Sequence, residues 1–262
     1  MPTKAFKGRI ALVTGAAQGV GEATARLLAA RGAAGLALVD RSGDRLARIA
    51  DEITRSGCPA EPIAADLGEV DACFAAVDRA MARFDALHVV VNAAGITDRG
   101  GIEDTTPELF DRIFAVNARA PFFIMQRAVP HLRASGGGTI VNVISITIWG
   151  GTPQLTTYVG AKGALAVMTR NIAASLGHDR IRANGLNLGW TLTPNEQRLQ
   201  VEYHGRPEDW AQRVGREQPF GRLLTPEDAA RAIAFLASDE SGLMTGAIVD
   251  FEQQVMGTYP AN

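Results

Sequence analysis

The sequence predicts an α/β fold: a doubly wound parallel sheet of about seven strands with helices on both faces. Three observations carry that expectation. Short apolar runs alternate with amphipathic stretches along the chain. The runs are unbroken instead of alternating polar and apolar, as strands covered on both faces should be. A glycine-rich turn, Thr14-Gly15-Ala16-Ala17-Gln18-Gly19-Val20-Gly21, then separates the first run from an Ala/Leu-rich stretch. With 262 residues, 47% of them hydrophobic, the chain can bury a full core. It shows no linker, repeat or low-complexity stretch, which implies one domain over 1–262.

In order, Arg9 to Thr14 reads as the first strand and the run ending at Arg31 as a helix. Ala34 to Asp40 is a second strand, and Asp44 to Ser56 a helix with Leu46, Ile49, Ala50 and Ile53 on one face. Ile63 to Asp66 is a third strand, Val70 to Phe84 a helix, and Leu87 to Asn92 a fourth strand. Thr106-Pro107 opens a helix that runs to Arg133, interrupted at Asn117 and Pro121. Thr139 to Ser145 is a fifth strand, Thr157 to Leu176 a helix and Arg180 to Leu188 a sixth strand. Gly189 to Gln218 is polar and reads as irregular, a mobile lid in a chain this compact. Thr225 caps a helix to Ala237 with Asp228 placed to answer the cap, and Ala247 to Phe251 is a seventh strand before a short tail.

Composition narrows the partners. With 28 acidic and 26 basic residues, scattered along the chain, the net charge of -2 offers no polyanion-binding surface, so no nucleic acid is expected. The first ten residues lack an apolar core, and no stretch approaches eighteen apolar residues; a cytoplasmic protein with no membrane association is expected. Cys58 and Cys73 read as free thiols, and with four dispersed histidines they offer no metal site.

The glycines stand where backbone must turn sharply ahead of a helix N-terminus, an arrangement that attracts pyrophosphate. Asp40 ends the second strand nineteen residues after Gly21, where a carboxylate can accept hydrogen bonds from a ribose diol, as in a Rossmann-type sheet. It would repel a 2'-phosphate, and Gln18 brings no cation into the loop. Arg41 pulls the other way without removing that repulsion, so NAD is expected over NADP. A second constellation runs from Ser145 to Lys162. If Tyr158 opens a helix, Lys162 lies four residues on along the same face, and its ammonium should lower the phenol's pKa. The Ser145 hydroxyl, thirteen residues before Tyr158, could share a substrate oxygen with it.

Together these pieces resemble the short-chain dehydrogenase/reductase family, from Lys7 to about Phe251. Gly15, Gly19 and Gly21 match its T-G-x-x-x-G-x-G loop, Asn92-Ala93-Ala94-Gly95 its N-N-A-G segment, and Tyr158 with Lys162 its Y-x-x-x-K site. The resemblance implies catalytic roles for Asn117, Ser145, Tyr158 and Lys162. It implies a dinucleotide held by Gly15, Gln18, Gly19, Val20, Gly21, Asp40, Arg41, Asp66, Leu67, Asn92, Ala93, Gly95, Tyr158, Lys162, Gly189, Thr191 and Thr193. Two departures stand out: Leu188 replaces the proline of the family's P-G-x-x-x-T, and Asp250-Phe251-Glu252-Gln253 replaces its D-G-G ending.

The expected activity is reversible hydride transfer between a secondary alcohol and NAD. Ser145, Thr147, Trp149, Gln154, Tyr158 and Trp190, with His204 and Trp210, form a polar and aromatic wall that suits a polyol or sugar derivative. A 3-oxoacyl carrier-protein reductase is the rival enzyme, opposed by Asp40; a non-catalytic dinucleotide-binding protein is the other, opposed by the intact catalytic set. A homotetramer or homodimer is implied, with Phe122, Phe123 and Met125 as contacts.

Overall fold

A computed structural model describes residues 4–255. Its strands are β1 (Ile10–Thr14), β2 (Gly35–Asp40), β3 (Ala60–Ala64), β4 (Val89–Asn92), β5 (Gly138–Val143), β6 (Ile181–Leu188) and β7 (Ile248–Phe251). All pair in parallel, in the order β3-β2-β1-β4-β5-β6-β7. Parallel neighbours need crossovers, and the helices supply them: α1 (Gly19–Ala30), α2 (Gly43–Arg55), α3 (Val70–Phe84), α4 (Pro107–Phe114), α5 (Ala120–Ala134) and α6 (Thr156–Leu176). Helices α7 (Pro194–Glu202), α8 (Trp210–Glu217) and α9 (Pro226–Ala237) lie between β6 and β7.

The strands are apolar throughout because each face meets a separate core. Val13 and Leu38 point into one, with Leu28, Leu46, Ile49 and Ile233 from α1, α2 and α9. Leu12 and Val39 point into the other, with Val77, Ile124 and Leu165 from α3, α5 and α6. This is the period-2 alternation of a strand buried on both sides.

Several boundaries differ from expectation, and the expected break at Asn117 takes a definite form. β3 starts at Ala60 and stops at Ala64, so Asp66 lies beyond it. Pro62, which argues against a strand, is tolerated because β3 is an edge. β5 ends at Val143, which leaves Ser145 past the sheet as the cap of a short 3-10 turn, Ile146–Trp149. The break at Asn117 is a π-helical turn, Ala115–Arg119, joining α4 to α5. Residues 189–218 are not irregular, since they contain α7 and α8. The Thr193-Pro194 start of α7 carries the same cap signature as Thr106-Pro107 and Thr225-Pro226. Met125 is fully buried inside the subunit, so it is no intersubunit contact. Phe123 packs edge-on against Phe74 at 5.5 Å between ring centres, and Phe122 is partly exposed. Among the described residues no helix is long and apolar enough to cross a membrane. The expected tail after Phe251 lies largely outside the described residues.

Candidate active site

Strand order reverses between β1 and β4, whose last residues, Thr14 and Asn92, are register partners. Open α/β sheets bind ligands outside the carboxyl ends of strands at such a switch point. The Thr14 hydroxyl accepts from the backbone N–H of Ala93 and of Ala94, at 3.1 Å each, which ties the loop after β4 to the loop after β1. Gly15 has φ +68°, and a Cβ there would sit 2.8 Å from the Ala94 Cα. A Cβ on Gly21 would collide with the Gly15 carbonyl. No side chain fits at either position, so bare backbone is presented to the crevice.

Asp40, at the end of β2, accepts from Ala17 N–H at 3.1 Å on one oxygen and from Ser42 N–H at 3.0 Å on the other. Each oxygen retains a lone pair for a further donor, the requirement for holding a diol. Arg41 is exposed, whereas Arg45, not singled out by the sequence, reaches Gln18 at 3.4 Å. Asp66 is exposed with one oxygen on Gly68 N–H at 2.9 Å, and Leu67 is buried beside it. Asp66 and Arg41 both line a groove of about 880 Å³ that continues past Phe114 and Phe122. The Asn92 side chain does not face this space: it is buried and donates to Asn142 Oδ1 at 2.8 Å, fastening β4 to β5.

Tyr158 and Lys162 are buried on α6, at 8% and 4% exposure. Burial dominates both: it pushes the phenol up to about 12, against the pull of Ser145 and Arg99, and the ammonium down to about 8. The expected depression of the phenol by Lys162 is not found in this geometry. The Lys162 Nζ stands 5.9 Å from the Tyr158 ring centre and donates to the Val143 carbonyl at 2.8 Å. Ser145 shares a hydrogen bond of 2.9 Å with Thr147, placing both hydroxyls at the same edge.

The π turn explains Asn117. Its amide donates to Ile113 O at 3.0 Å and to Ile96 O at 2.9 Å, and its Oδ1 accepts from Ile96 N–H at 3.3 Å. A Cβ on Gly95 would meet Asn117 Oδ1 at 2.9 Å and Lys162 Nζ at 3.4 Å, so the three residues converge.

Residues after β6 close over the loop after β1. A Cβ on Gly19, the first residue of α1, would touch Thr193 Cγ2 at 3.3 Å, and Val20 follows it in the first turn. Thr193 caps α7, accepting from Glu196 N–H at 3.1 Å; Thr191 is buried and donates to Gly189 O at 3.0 Å. Here the two family departures answer each other. Leu188 lacks proline's fixed φ, but Gly189 N–H donates to Phe251 O at 2.9 Å and Trp190 N–H to Glu252 Oε2 at 2.9 Å. A carboxylate from the altered ending thus holds the strand exit.

The expected aromatic wall is only partly assembled. Trp190 faces the inside, its Nε1 donating to Glu196 Oε1 at 2.9 Å. Trp210 is 2% exposed and stacks on Trp190 at 5.5 Å, so it packs the segment and does not wall a pocket. Trp149 is 61% exposed and Gln154 is also exposed, which puts both side chains in solvent. His204, exposed at the rim, accepts from Arg99 Nε at 3.1 Å. Arg99 and Glu196 escaped the sequence reading. Glu196 had a signal, as the acid three residues after the Thr193 cap. Arg99 had none, because its place depends on a loop meeting a helix nearly a hundred residues later.

A glycine cradle at the switch point beside a buried serine, tyrosine and lysine defines a nicotinamide-dependent oxidoreductase. Residues 15–252 match the family model described as Enoyl-(Acyl carrier protein) reductase. The chain belongs to the short-chain dehydrogenase/reductase family. It is 37% identical to the cis-4-hydroxycyclohexanecarboxylate dehydrogenase of Sinomonas cyclohexanicum, over 94% of this chain and 96% of the relative. It is 34% identical to the "Probable galactose dehydrogenase GalD" of Rhizobium meliloti, over 94% and 95%. Among solved structures, the L-sorbose reductase of Gluconobacter frateurii, complexed with NADPH and L-sorbose, superposes with a TM-score of 0.92. The two are 27% identical, and the match covers 99% of this chain and all of that one.

Proposed function

We propose that the protein interconverts a secondary alcohol and a ketone with NAD, and that its substrate is a polyol or sugar derivative. The observation that carries the reaction is the convergence of Ser145, Tyr158, Lys162 and Asn117 beside a cradle that only glycine can form. Gly15, Gly19 and Gly21 with the α1 N-terminus would hold the pyrophosphate, and Asp40 the adenosine ribose. Lys162 would hold the nicotinamide ribose, with Thr191 and Thr193 at the amide. The cofactor, when bound, accepts or donates the hydride.

In oxidation the Tyr158 phenolate would take the alcohol proton, and in reduction the phenol would return it. Ser145 orients the reacting oxygen, and Asn117 holds the relay that refills the lysine. Because burial raises the phenol to about 12, its proton is held tightly until Lys162 or a ribose hydroxyl stabilises the anion. Oxidation should therefore rise with pH and reduction fall.

NAD is favoured by the two backbone bonds that fix the Asp40 carboxylate where a 2'-phosphate would sit. The sugar reading draws support from a relative named as a galactose dehydrogenase and a structural neighbour holding L-sorbose. We further propose a homodimer or homotetramer through α4, α5 and α6, whose Phe110, Phe122 and Val167 are exposed. Residues 189–218 act as the substrate lid of a single domain. Purified protein with NAD or NADP and a panel of pentitols, hexitols, aldoses, acyl thioesters and hydroxysteroids, followed at the NADH absorbance, tests the function. Faster turnover with NADP, or activity confined to the last two classes, would overturn it.

A further inference from the structure

The reaction as proposed leaves a cluster of buried polar groups without a task. Arg99 lies on the loop after β4, between Ile96, which is bonded to Asn117, and Gly100, whose N–H donates to Gln154 O just ahead of α6. Glu196 lies in the first turn of α7, beneath the Thr193 cap that touches Gly19, and both charges are felt by the Tyr158 phenol. The Arg99 side chain is 6% exposed and is held in place by Thr97 O at 2.7 Å and His204 Nε2 at 3.1 Å. Glu196 Oε1 is occupied by Trp190 Nε1 at 2.9 Å and Gln200 Nε2 at 2.7 Å. Its other oxygen stands 3.9 Å from Arg99, beyond hydrogen-bond reach. Two buried polar atoms without a partner, Gln200 Oε1 and Trp210 Nε1, belong to the same segment. Buried groups of this kind are normally satisfied, and leaving one unmade destabilises the site.

The chemistry of the gap limits what can fill it. A guanidinium offers only donors and a carboxylate only acceptors, whereas a hydroxyl is both. One hydroxyl between them accepts from Arg99 and donates to Glu196, and a neighbouring hydroxyl extends the same pattern. A carboxylate ligand would satisfy Arg99 but face Glu196 with like charge, and an alkyl group would leave Arg99 Nη2 and Glu196 Oε2 with only their loose 3.9 Å ion pair. From this juxtaposition we infer that Arg99 and Glu196 form a recognition pair for the non-reacting hydroxyls of a neutral, polyhydroxylated substrate. The inference rests on the polyol reading above and assigns that preference to two residues.

The test compares kcat/KM for cyclohexane-1,2-diol, cyclohexanol and cis-4-hydroxycyclohexanecarboxylate in wild type, Glu196→Gln and Arg99→Met. Glu196→Gln keeps an oxygen for Trp190, which limits loss of packing. The diol-to-cyclohexanol ratio is internal to each protein, so partial loss of folded enzyme leaves it unchanged; melting temperatures are read alongside. Wild type should prefer the diol, and each variant should lose that preference by at least about tenfold, through KM more than kcat. If wild type prefers the diol and either variant keeps the ratio within about twofold, the pair is not the determinant and the polyol reading stands. A wild type that prefers cyclohexanol or the carboxylate overturns the polyol reading, and this inference with it.

Discussion

Two nearly buried charges, one at the start of α9 and one in α6, are treated in opposite ways. Asp228 is surrounded by donors: Arg222, Arg231, Thr225 N–H and the Thr225 hydroxyl all meet its carboxylate. Its pKa falls to about 2, chiefly through Arg222. Lys162 has one acceptor, the Val143 carbonyl, and burial drags it down to about 8. A fully partnered charge stabilises the fold, whereas a buried one with few partners is tolerated where a ligand must still be met. The contrast separates a charge that the fold fully partners from one that burial disfavours.

The largest effect should come from the phenol that shares α6 with Lys162. Tyr158→Phe is expected to lower kcat by about 10²–10⁴ while NAD affinity stays within a few-fold. Steady-state rates and NAD titration check this, and more than a tenth of wild-type kcat would remove Tyr158 from its role.

Lys162→Met sharpens the comparison, since it should lose turnover by at least about a hundredfold yet melt no lower than wild type at pH 7. The sign follows from the folded pKa of about 8 lying below the ordinary 10.5. The penalty for the charged form is fully present below about 8 and disappears as pH rises to 10.5. Any stability advantage of the variant should therefore shrink by pH 10, as read by scanning calorimetry.

Asp40 is the intermediate case, a carboxylate with two backbone donors and capacity to spare. Asp40→Ala should weaken NAD binding by roughly 1.5–3 kcal/mol, about 10- to 150-fold, and relieve exclusion of NADP. Cofactor titrations decide; an unchanged NAD to NADP ratio would break the assignment.

The smallest effect belongs to the structural acid. Asp228→Asn should cost about 1–2 kcal/mol and leave kcat unchanged. Its folded pKa of about 2 lies below the ordinary 3.8, so its contribution is present above 3.8 and lost as pH falls toward 2. Melts at pH 7 should separate the two proteins, and melts near pH 2 should not.

Much of this was legible in the residues. The glycine loop, the Thr-Pro helix starts and the apolar runs express local sterics and burial, which act within a few residues and survive any context. So the sheet, the cradle at Gly15 and Gly21, and the one-turn spacing of Tyr158 and Lys162 could be read in advance. Only the tertiary structure decided the rest. Pro62 stays in a strand because β3 happens to be an edge. Trp210 became packing because Trp190 lies flat against it, while Trp149 was left in solvent. Lys162 bonds Val143 because α6 crosses the end of β5, and Glu252 steadies Trp190 because β7 returns beside β6. Such contacts join residues far apart in the chain, and their energies depend on burial and geometry that no local pattern encodes.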